Sequence, residues 1–503
     1  MNVVNTLTEE LRRLLAGNTL YTDYLPRWQF LLESYLGGEE YRQGNHLNRY
    51  ALETEAEYRA RLRSTPLDNH CASIVQVYNS FMFREEPKRD FSNNGASFEL
   101  EMFLRDADLD GRSLNAFMKE VSTWSSVFGH CWIIVSKPNI GAATLAEEQA
   151  AGIRPYLSLL TPMVVLDWRW EREPNGRLAL SYIRYLEDVT GDLRTVKVWD
   201  KTSITTTVLN TRAGNIESET VEPNQLGIVP AVCVYNGRSI VKGFGVSDIT
   251  DIADQQKFIY NATSEIDQSI RLDSHPSLVK TPETQAGVGA GAIIHMPENM
   301  DPGLKPYVLD FGGADTQNIL AAINKSVDVI DKIANTGSVR GTISRQLSGV
   351  AMETEFQLLN ARLSEKADNL ELAEEQMWTI WFRYQGEIWM GSIDYPGSFN
   401  VRDASSEIQQ LAIAKNTATD PLVIREIDKA VLEWLGVDDD ILESPEEEQQ
   451  EQQEEAEEIE GSTDIFEPHV MIDPRTGERK ITQTQQEHLE LAAQGWVHEE
   501  DLD

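Results

Sequence analysis

The segment IANTGSVRGTISRQLSGVAMETEF, residues 333–356, joins two long stretches of helical pattern. It places Arg340 and Arg345 among glycines and serines, in a chain whose formal net charge is −38. Because glycine lowers the cost of unusual backbone conformations, the segment predicts a loop that can change shape. Any function inferred for the chain has to explain why so acidic a protein carries an arginine-bearing loop between two helices.

The pattern before the loop covers residues 314–336, and the pattern after it covers residues 353–390. Apolar residues recur every three or four positions in both, which is typical of an amphipathic helix. The second stretch predicts a helix about 57 Å long at 1.5 Å per residue. Few compact domains contain so long a helix.

A third helix is predicted over residues 247–274, with Ser247 or Asp248 as its N-cap. One side of it carries residues spaced by four and three: Ile252, Gln256, Ile259, Thr263, Ile266 and Ile270. Because polar residues dilute this stripe, we expect the helix to pack against similar neighbours rather than form a dry core. The connection at 275–313 is rich in glycine and proline and predicts short strands.

The remaining regions differ in character. Residues 1–86 read as mainly helical, and β-branched and aromatic runs between 131 and 237 predict several strands, so the chain is α+β. After residue 390 the pattern predicts a strand at 398–401 and short helices at 404–415 and 421–435. The segment IDPRTGERKI predicts a hairpin turn, and a helix is predicted near 485–493.

Charge and composition narrow the function classes. The last 66 residues, 438–503, hold 23 acidic and 3 basic residues, so we expect an acidic, partly disordered extension. The rest of the chain is also acidic, which disfavours DNA binding through a broad basic patch. No apolar run is long enough to span a bilayer. The three cysteines are well separated and indicate neither a disulfide framework nor a zinc cluster.

Two motifs resemble ligand-binding sites, but the residues in and after them argue against that interpretation. DADLDGRSLNAF, residues 106–117, starts like a calcium loop, but Phe117 stands where the bidentate glutamate should be, so a helix-capping turn is favoured. GVGAGA, residues 287–292, fits a dinucleotide fingerprint, but no helix can follow it. There is no P-loop, no H-E-x-x-H and no nucleophile with its base. The sequence therefore predicts no enzyme, no cofactor, no catalytic residue and no metal site.

Four stretches carry a resemblance to a known family. They are LDNHCASIVQVYNSFMFREEP (67–87), DLDGRSLNAFMKEVSTWSSVFGHCWIIVSKP (108–138), LGIVPAVCVYNG (226–237) and SGVAMETEFQLLNARLSEKADNLE (348–371). Their order and spacing resemble the portal proteins of tailed bacteriophages, the head-to-tail connectors. The resemblance covers residues 20 to 437.

The resemblance implies a portal fold in a closed ring, and it assigns a part to each region. These parts are an α+β wing (1–246), a helical stem (247–274 and 314–336), a small β clip (275–313), a tunnel loop (337–352), a long wing and crown helix (353–390), a helical crown (391–437) and the acidic extension (438–503).

The same resemblance implies a ring of twelve subunits at one capsid vertex, through which double-stranded DNA is packaged and ejected. Implied partners are the terminase large subunit, the major capsid or scaffolding protein, and a head-completion or adaptor protein, with no membrane. The implied location is the virion, and the host cytoplasm during assembly. The alternatives are a capsid-associated oligomeric adaptor or scaffold without a DNA channel, and an enzyme whose site the motifs do not reveal.

The resemblance also implies site residues. The tunnel-loop residues expected to face DNA are Ser338, Arg340, Thr342, Ser344, Arg345 and Gln346. For Arg340 and Arg345 three environments stay open: the bore, an ion pair with a neighbouring subunit, or plain solvent. The clip residues expected to contact DNA or partners are Lys280, Glu283 and Lys305, although the lysines fit ordinary solvated side chains as well.

Overall fold

A computed structural model describes the chain in two compact units, Met1–Asn400 and Val401–Asp503. The described residues are 9–95, 97–138, 152–274, 278–282, 285–286, 294–295, 299, 301, 303, 305–308, 314–340, 349–399, 404–417, 423–425, 427–429, 431 and 468–498. The predictions for 287–292, 398–401 in part, 421–435 in part and 438–467 lie outside these residues.

The first unit contains eleven described helices, and their order follows the predicted α, then α+β, then α arrangement. They are α1 (Glu9–Leu15), α2 (Thr19–Leu36), α3 (Gly38–Gln43), α4 (Glu55–Ser64), α5 (His70–Met82), α6 (Phe98–Arg105), α7 (Leu114–Phe128), α8 (Thr250–Ser274), α9 (Ala314–Ala334), α10 (Gly337–Arg340) and α11 (Gly349–Tyr384).

The strands of the first unit form several antiparallel sheets. They are β1 (Lys88–Asp90), β2 (His130–Ser136), β3 (Tyr156–Leu160), β4 (Val165–Arg172), β5 (Leu178–Thr190), β6 (Leu193–Asp200), β7 (Ser203–Asn210), β8 (Asn215–Pro223), β9 (Ala231–Tyr235), β10 (Gly237–Arg238), β11 (Gly245–Val246), β12 (Leu278–Val279), β13 (Gln285–Ala286), β14 (Ile294–His295), β15 (Tyr307–Val308) and β16 (Ser392–Asp394). This mixture of helices and sheets confirms the α+β prediction. Strand β8 was not predicted.

Strand β2 lies at the centre of the fold because both of its faces are buried. It is the middle strand of a sheet with order β3-β2-β9. Ile133 and its alternate neighbours face a core with α5, α7, α8 and α11, whereas Trp132 and Ile134 face a second core. That second core lies against the five-stranded meander β4-β5-β6-β7-β8. Because side chains alternate along β2, the strand contacts the helical layer with one face and the five-stranded meander with the other.

Helix α11 has 36 residues and is about 54 Å long, close to the predicted length. It starts at Gly349 and ends at Tyr384, rather than covering 353–390. It ends because Gly386 takes a φ of 78°, which glycine adopts without steric cost. The N–H of Glu387 then donates to the carbonyl oxygen of Phe382 at 3.0 Å, which closes the last turn.

The strand predicted at 398–401 is wrong where it can be compared, because Ser398 and Phe399 pair with no strand. The strand lies instead at β16, where Ile393 is in register with Arg89 of β1. Ile393 and Tyr395 are buried, and the Tyr395 hydroxyl donates to Glu374 of α11 at 2.7 Å. Burial of alternate residues against α11 therefore fixes the position of the strand at β16 rather than at the later segment 398–401.

In the first half of α8, the predicted stripe of apolar and polar residues packs differently from the prediction. Ile252, Gln256 and Ile259 are buried within their own chain. The Gln256 amide accepts from the N–H of Cys71 at 2.9 Å and donates to the carbonyl oxygen of Ser34 at 3.0 Å. A glutamine whose amide oxygen and nitrogen are both hydrogen-bonded can belong to a core, so its presence does not require a neighbouring helix. Only further along, at Ile270, is the apolar side chain exposed.

The acidic loop 106–117 is the predicted helix-capping turn. Ser113 accepts from the N–H of Ala116 and is the N-cap of α7. Asp106 accepts from Arg154 at 2.8 Å, and Asp108 is paired with Arg112. The two carboxylates therefore organise the loop through arginines and backbone N–H groups.

The second unit is described in part. It contains α12 (Ala404–Thr417), then β17 (His469–Ile472), β18 (Arg479–Thr482), α13 (Gln485–Ala493) and β19 (Val497–His498). The last four elements form a small fold with strand order β18-β17-β19. The predicted hairpin and the helix at 485–493 are confirmed, and β19 is an addition. In the described part of the whole chain, no helix is both long and apolar enough to cross a bilayer.

Candidate functional site at the base of the loop

Six side chains meet where the helices on either side of the loop contact the body of the first unit. We call this cluster the junction; its members are Tyr78, Asp248, Asp331, Arg340, Arg362 and Lys366. They come from five places in the sequence: α5, the residue pair before α8, the end of α9, α10 and the middle of α11. The junction therefore fixes both long helices relative to the start of the loop.

The backbone of the junction turns sharply after α9. Asn335 takes a φ of 55°, a conformation that asparagine tolerates better than most residues. The N–H of Thr336 donates to the carbonyl oxygen of Asp331 at 3.0 Å, and the N–H of Arg340 donates to that of Thr336 at 2.8 Å. The chain thus ends α9 at Ala334, turns at Asn335 and starts the single turn α10 at Gly337.

Arg340 is held within its own subunit. Its guanidinium donates to Asp331 Oδ1 at 2.8 Å and to His70 Nδ1 at 2.8 Å. Only 15% of the Arg340 side chain and 9% of the Asp331 side chain are exposed. Burial lowers the pKa of His70, which keeps its ring neutral, and a neutral Nδ1 can accept from arginine. Arg340 therefore ties α10 to the end of α9 and to the start of α5.

Asp248 is the anionic centre of the junction. Its carboxylate accepts from Lys366 Nζ at 2.6 Å and from Arg362 Nη2 at 2.9 Å. Burial by itself would raise the pKa of Asp248, but the two cations outweigh it and lower the pKa to about 2. Asp248 is therefore ionised at every physiological pH.

Lys366 is buried and has a full set of acceptors. Its ammonium group carries three N–H donors, and these point to Asp248, to Ser126 Oγ at 2.8 Å and to Asn236 Oδ1. Burial lowers the pKa of Lys366, whereas Asp248 opposes that shift. Ser126 is buried near the end of α7 and Asn236 follows β9, so one lysine joins α11 to the helical layer and to the sheet.

Arg362 and Tyr78 bind the last turn of α9. Arg362 Nη1 donates to the carbonyl oxygen of Ile333 at 3.3 Å, and the Tyr78 hydroxyl donates to that of Ala334 at 2.6 Å. A helix leaves its last carbonyl groups without intrahelical partners, and a cation there also complements the helix dipole. Because Arg362 also binds Asp248, a single guanidinium links the start of α8 to the end of α9.

Some of the predicted loop residues belong to the described part of the structure, and the others do not. Arg340 lies in the junction, an intrachain environment that was not among the three expected from the sequence. Ser338 belongs to α10. The remaining tunnel-loop predictions lie outside the described residues: Thr342, Ser344, Arg345 and Gln346. The role of these residues therefore stays a prediction.

The described part of the predicted clip contains short antiparallel ladders between α8 and α9. Strand β12 pairs with β15, and β13 pairs with β14. Lys280 and Lys305 are exposed, the first directly after β12 and the second two residues before β15. Glu283 lies outside the described residues.

Most of the junction was not predicted. The sequence indicates Asp248 only as a possible N-cap, and it assigns no role to its partners Arg362 and Lys366. One signal was available: Lys366 follows Leu363 by three and precedes Leu370 by four, so it occupies the buried stripe of α11. A lysine at such a position needs a buried anion, because burying an unpaired charge is costly.

The sequence matches the model of one protein family over residues 21–462, most of the chain. That family is described as "Phage portal protein, SPP1 Gp6-like". The chain belongs to this family. It is thus a phage portal protein, a structural component of the portal channel at the capsid vertex. The resemblance stated from the four sequence stretches is confirmed.

Solved structures similar to this portal protein come from gene transfer agent (GTA) particles. The neck of an empty particle computed with C6 symmetry matches with a TM-score of 0.44 and 11% identity, over 76% of this chain and 95% of that one. The neck of a native particle computed with C12 symmetry gives 0.41 and 12%, over 80% and 91%. No curated protein sequence matches the chain.

The junction predicts a large stability difference between two aspartates at the start of α8. Asp248→Ala would leave Lys366 and Arg362 without their anion, and removing one partner of a buried pair typically costs about 3–5 kcal/mol. Asp251→Ala, one turn along on the exposed side, should change the stability of the portal protein by no more than about 1 kcal/mol. Thermal melting of both variants checks this. Equal melting temperatures would contradict the assigned role of Asp248.

Proposed function

We propose that about twelve copies of this chain form a closed ring whose channel conducts double-stranded DNA during packaging and ejection. In this proposal each region keeps the part expected from the sequence, and α11 itself covers Gly349–Tyr384. The parts are the wing (1–246), the stem (247–274 and 314–336), the clip (275–313), the tunnel loop (337–352), the long wing and crown helix (353–390), the crown (391–437) and the acidic extension (438–503).

Exposed apolar side chains along the helices that flank the clip and the loop carry the ring proposal. In the single chain, 53% of Ile270, 44% of Leu320 and 55% of Leu358 is exposed, and Phe258 and Val339 are exposed as well. These residues lie on α8, α9, α10 and α11, the same elements that the junction holds together. Apolar surface repeated on rigid helices favours burial between identical subunits, and a head-to-tail contact that closes gives a ring.

The charge of the chain supports a conduit rather than a DNA-binding protein. Tight binding to DNA depends on many contacts between cationic side chains and phosphates. A net charge of −38 opposes such contacts and keeps a passing duplex from sticking to the channel wall. A few cationic residues on a short loop can still contact phosphates without holding them.

We assign the two loop arginines different roles. Arg340 is engaged by Asp331 and His70, so we propose that it fixes the base of the loop. Arg345 lies five residues further on, beyond Gly341, and we propose that it faces the bore together with Ser338, Thr342, Ser344 and Gln346. The base would then stay attached to the junction while the rest of the loop follows the DNA.

The segment between α8 and α9 is the proposed contact surface for other proteins. The exposed lysines Lys280 and Lys305 support this proposal, and Glu283 is included from the sequence. The proposed partners are the terminase large subunit during packaging and a head-completion or adaptor protein afterwards. We further propose contacts with the major capsid or scaffolding protein, and assembly in the host cytoplasm before incorporation into the virion.

The ring proposal predicts a specific effect of charge on the helices. Ile270→Glu and Leu320→Glu should prevent ring assembly, because each would bury a carboxylate between subunits. Val189→Glu places the same charge at an exposed apolar position of β5 and should leave assembly intact. Negative-stain electron microscopy checks all three. Wild-type particles without a central hole would overturn the DNA conduit and favour the adaptor alternative.

The roles assigned to the two arginines predict that replacing each one causes a different defect. Arg345→Ala should assemble and melt like the wild type but retain less packaged DNA, since it removes a proposed phosphate contact. Arg340→Ala should lower the melting temperature, since it leaves Asp331 without its guanidinium. DNA retention in particles and melting of purified protein provide the two measurements. Full DNA retention by Arg345→Ala would refute its proposed position at the bore.

A further inference from the structure

Three histidines of the second unit meet in the small fold formed by residues 468–498. His469 lies on β17, His488 on α13 and His498 on β19. Each can offer one ring nitrogen so that the three nitrogens lie within 4.8 Å of one another. His469 Nε2 and His488 Nδ1 are 2.8 Å apart, and the ring of His498 stacks on that of His469 at 4.6 Å.

We propose that His469, His488 and His498 bind one divalent zinc ion. Zinc prefers imidazole nitrogens at about 2.0–2.1 Å, and a site with three histidines leaves a fourth position for water. Nitrogens of a tetrahedral site lie about 3.3 Å apart, so side-chain rotation would bring the three rings to the required spacing. None of the three side chains is fully buried, which leaves the ion a path to the site.

The size of the fold gives the ion a physical role. Its described residues, 468–498, contain three buried side chains: Met471, Ile472 and Thr482. A unit of fewer than about 40 residues rarely buries enough apolar surface to be stable, and natural examples often use a metal. Zinc would tie β19 and α13 to β17, and so join the last strand to the hairpin and helix before it. The family match ends at residue 462, so this site belongs to a part of the chain outside it.

The sequence did not predict this site because the three histidines are far apart along the chain and fit no metal motif. Their convergence depends on the register of the sheet, in which Met471 pairs with His498. Two residues before Met471 along β17 lies His469, which therefore faces the same side of the sheet. The helix α13 then brings His488 over that side, where its ring contacts both others.

Zinc binding by the full-length protein, freed of metal with a chelator, tests the proposal. The titration needs excess Mg²⁺, because the acidic extension attracts cations and carboxylates prefer hard ions. We expect one zinc per chain for the wild type and for His295→Ala, which removes an exposed histidine of β14. His469→Ala, His488→Ala and His498→Ala should each weaken binding by about 100-fold or more, since even losing a residue behind the ligands costs 10–100-fold.

Hydrogen exchange on the wild type gives a second measurement that requires no variant. At a free zinc concentration 100 times the dissociation constant, amide hydrogen exchange in β17 and β19 should slow by about 100-fold. Exchange that zinc leaves unchanged would overturn the proposal. So would zinc binding that is equal in the wild type and in the three histidine variants, because it would then come from the acidic extension.

Discussion

The arrangement of the long helices depends on the ion pairs that the buried Asp248 carboxylate makes with Lys366 and Arg362. A buried ion pair gives little net stability compared with well-packed apolar residues, since removing the charges from water is costly. Its value lies in specificity, because a buried anion tolerates only a geometry that supplies its cations. Here those cations come from α11, and Asp248 lies two residues before the start of α8, so the ion pairs set the register between the two helices.

The same network fixes the chain where it enters the loop. Tyr78, Arg362 and Arg340 bind the last turn of α9 and the single turn after it. The chain therefore enters the loop from a rigid base on the body and leaves it into a helix anchored by Lys366.

Much of the fold follows from local patterns in the sequence. The long helices, the buried strand β2 and the hairpin after residue 468 have strong periodicity or clear turn residues, and the structure has them near the predicted positions. The strand at 392–394 was misplaced because its position depends on Arg89, Glu374 and Tyr395, which are distant in sequence. Gln256 was misinterpreted for the same reason, since its partners Cys71 and Ser34 are brought to it by tertiary packing.

The junction and the histidine cluster were missed on similar physical grounds. Both join residues from separate elements, and no spacing along the chain records their proximity. Lys366 on an apolar stripe was the one local sign of the junction, and it indicated a buried anion without identifying Asp248. Charged and metal-binding residues act through their partners, so a single sequence reveals them less well than it reveals helices and strands.

Hydrogen exchange of Asp248→Asn compared with the wild type tests most directly whether one buried carboxylate holds both helices. The neutral amide removes the charge with little change in volume. We predict that amides at the start of α8 and amides of residues 331–340 lose protection together, although the two segments are far apart in sequence. Faster exchange at the start of α8 alone, with residues 331–340 protected as before, would contradict the account.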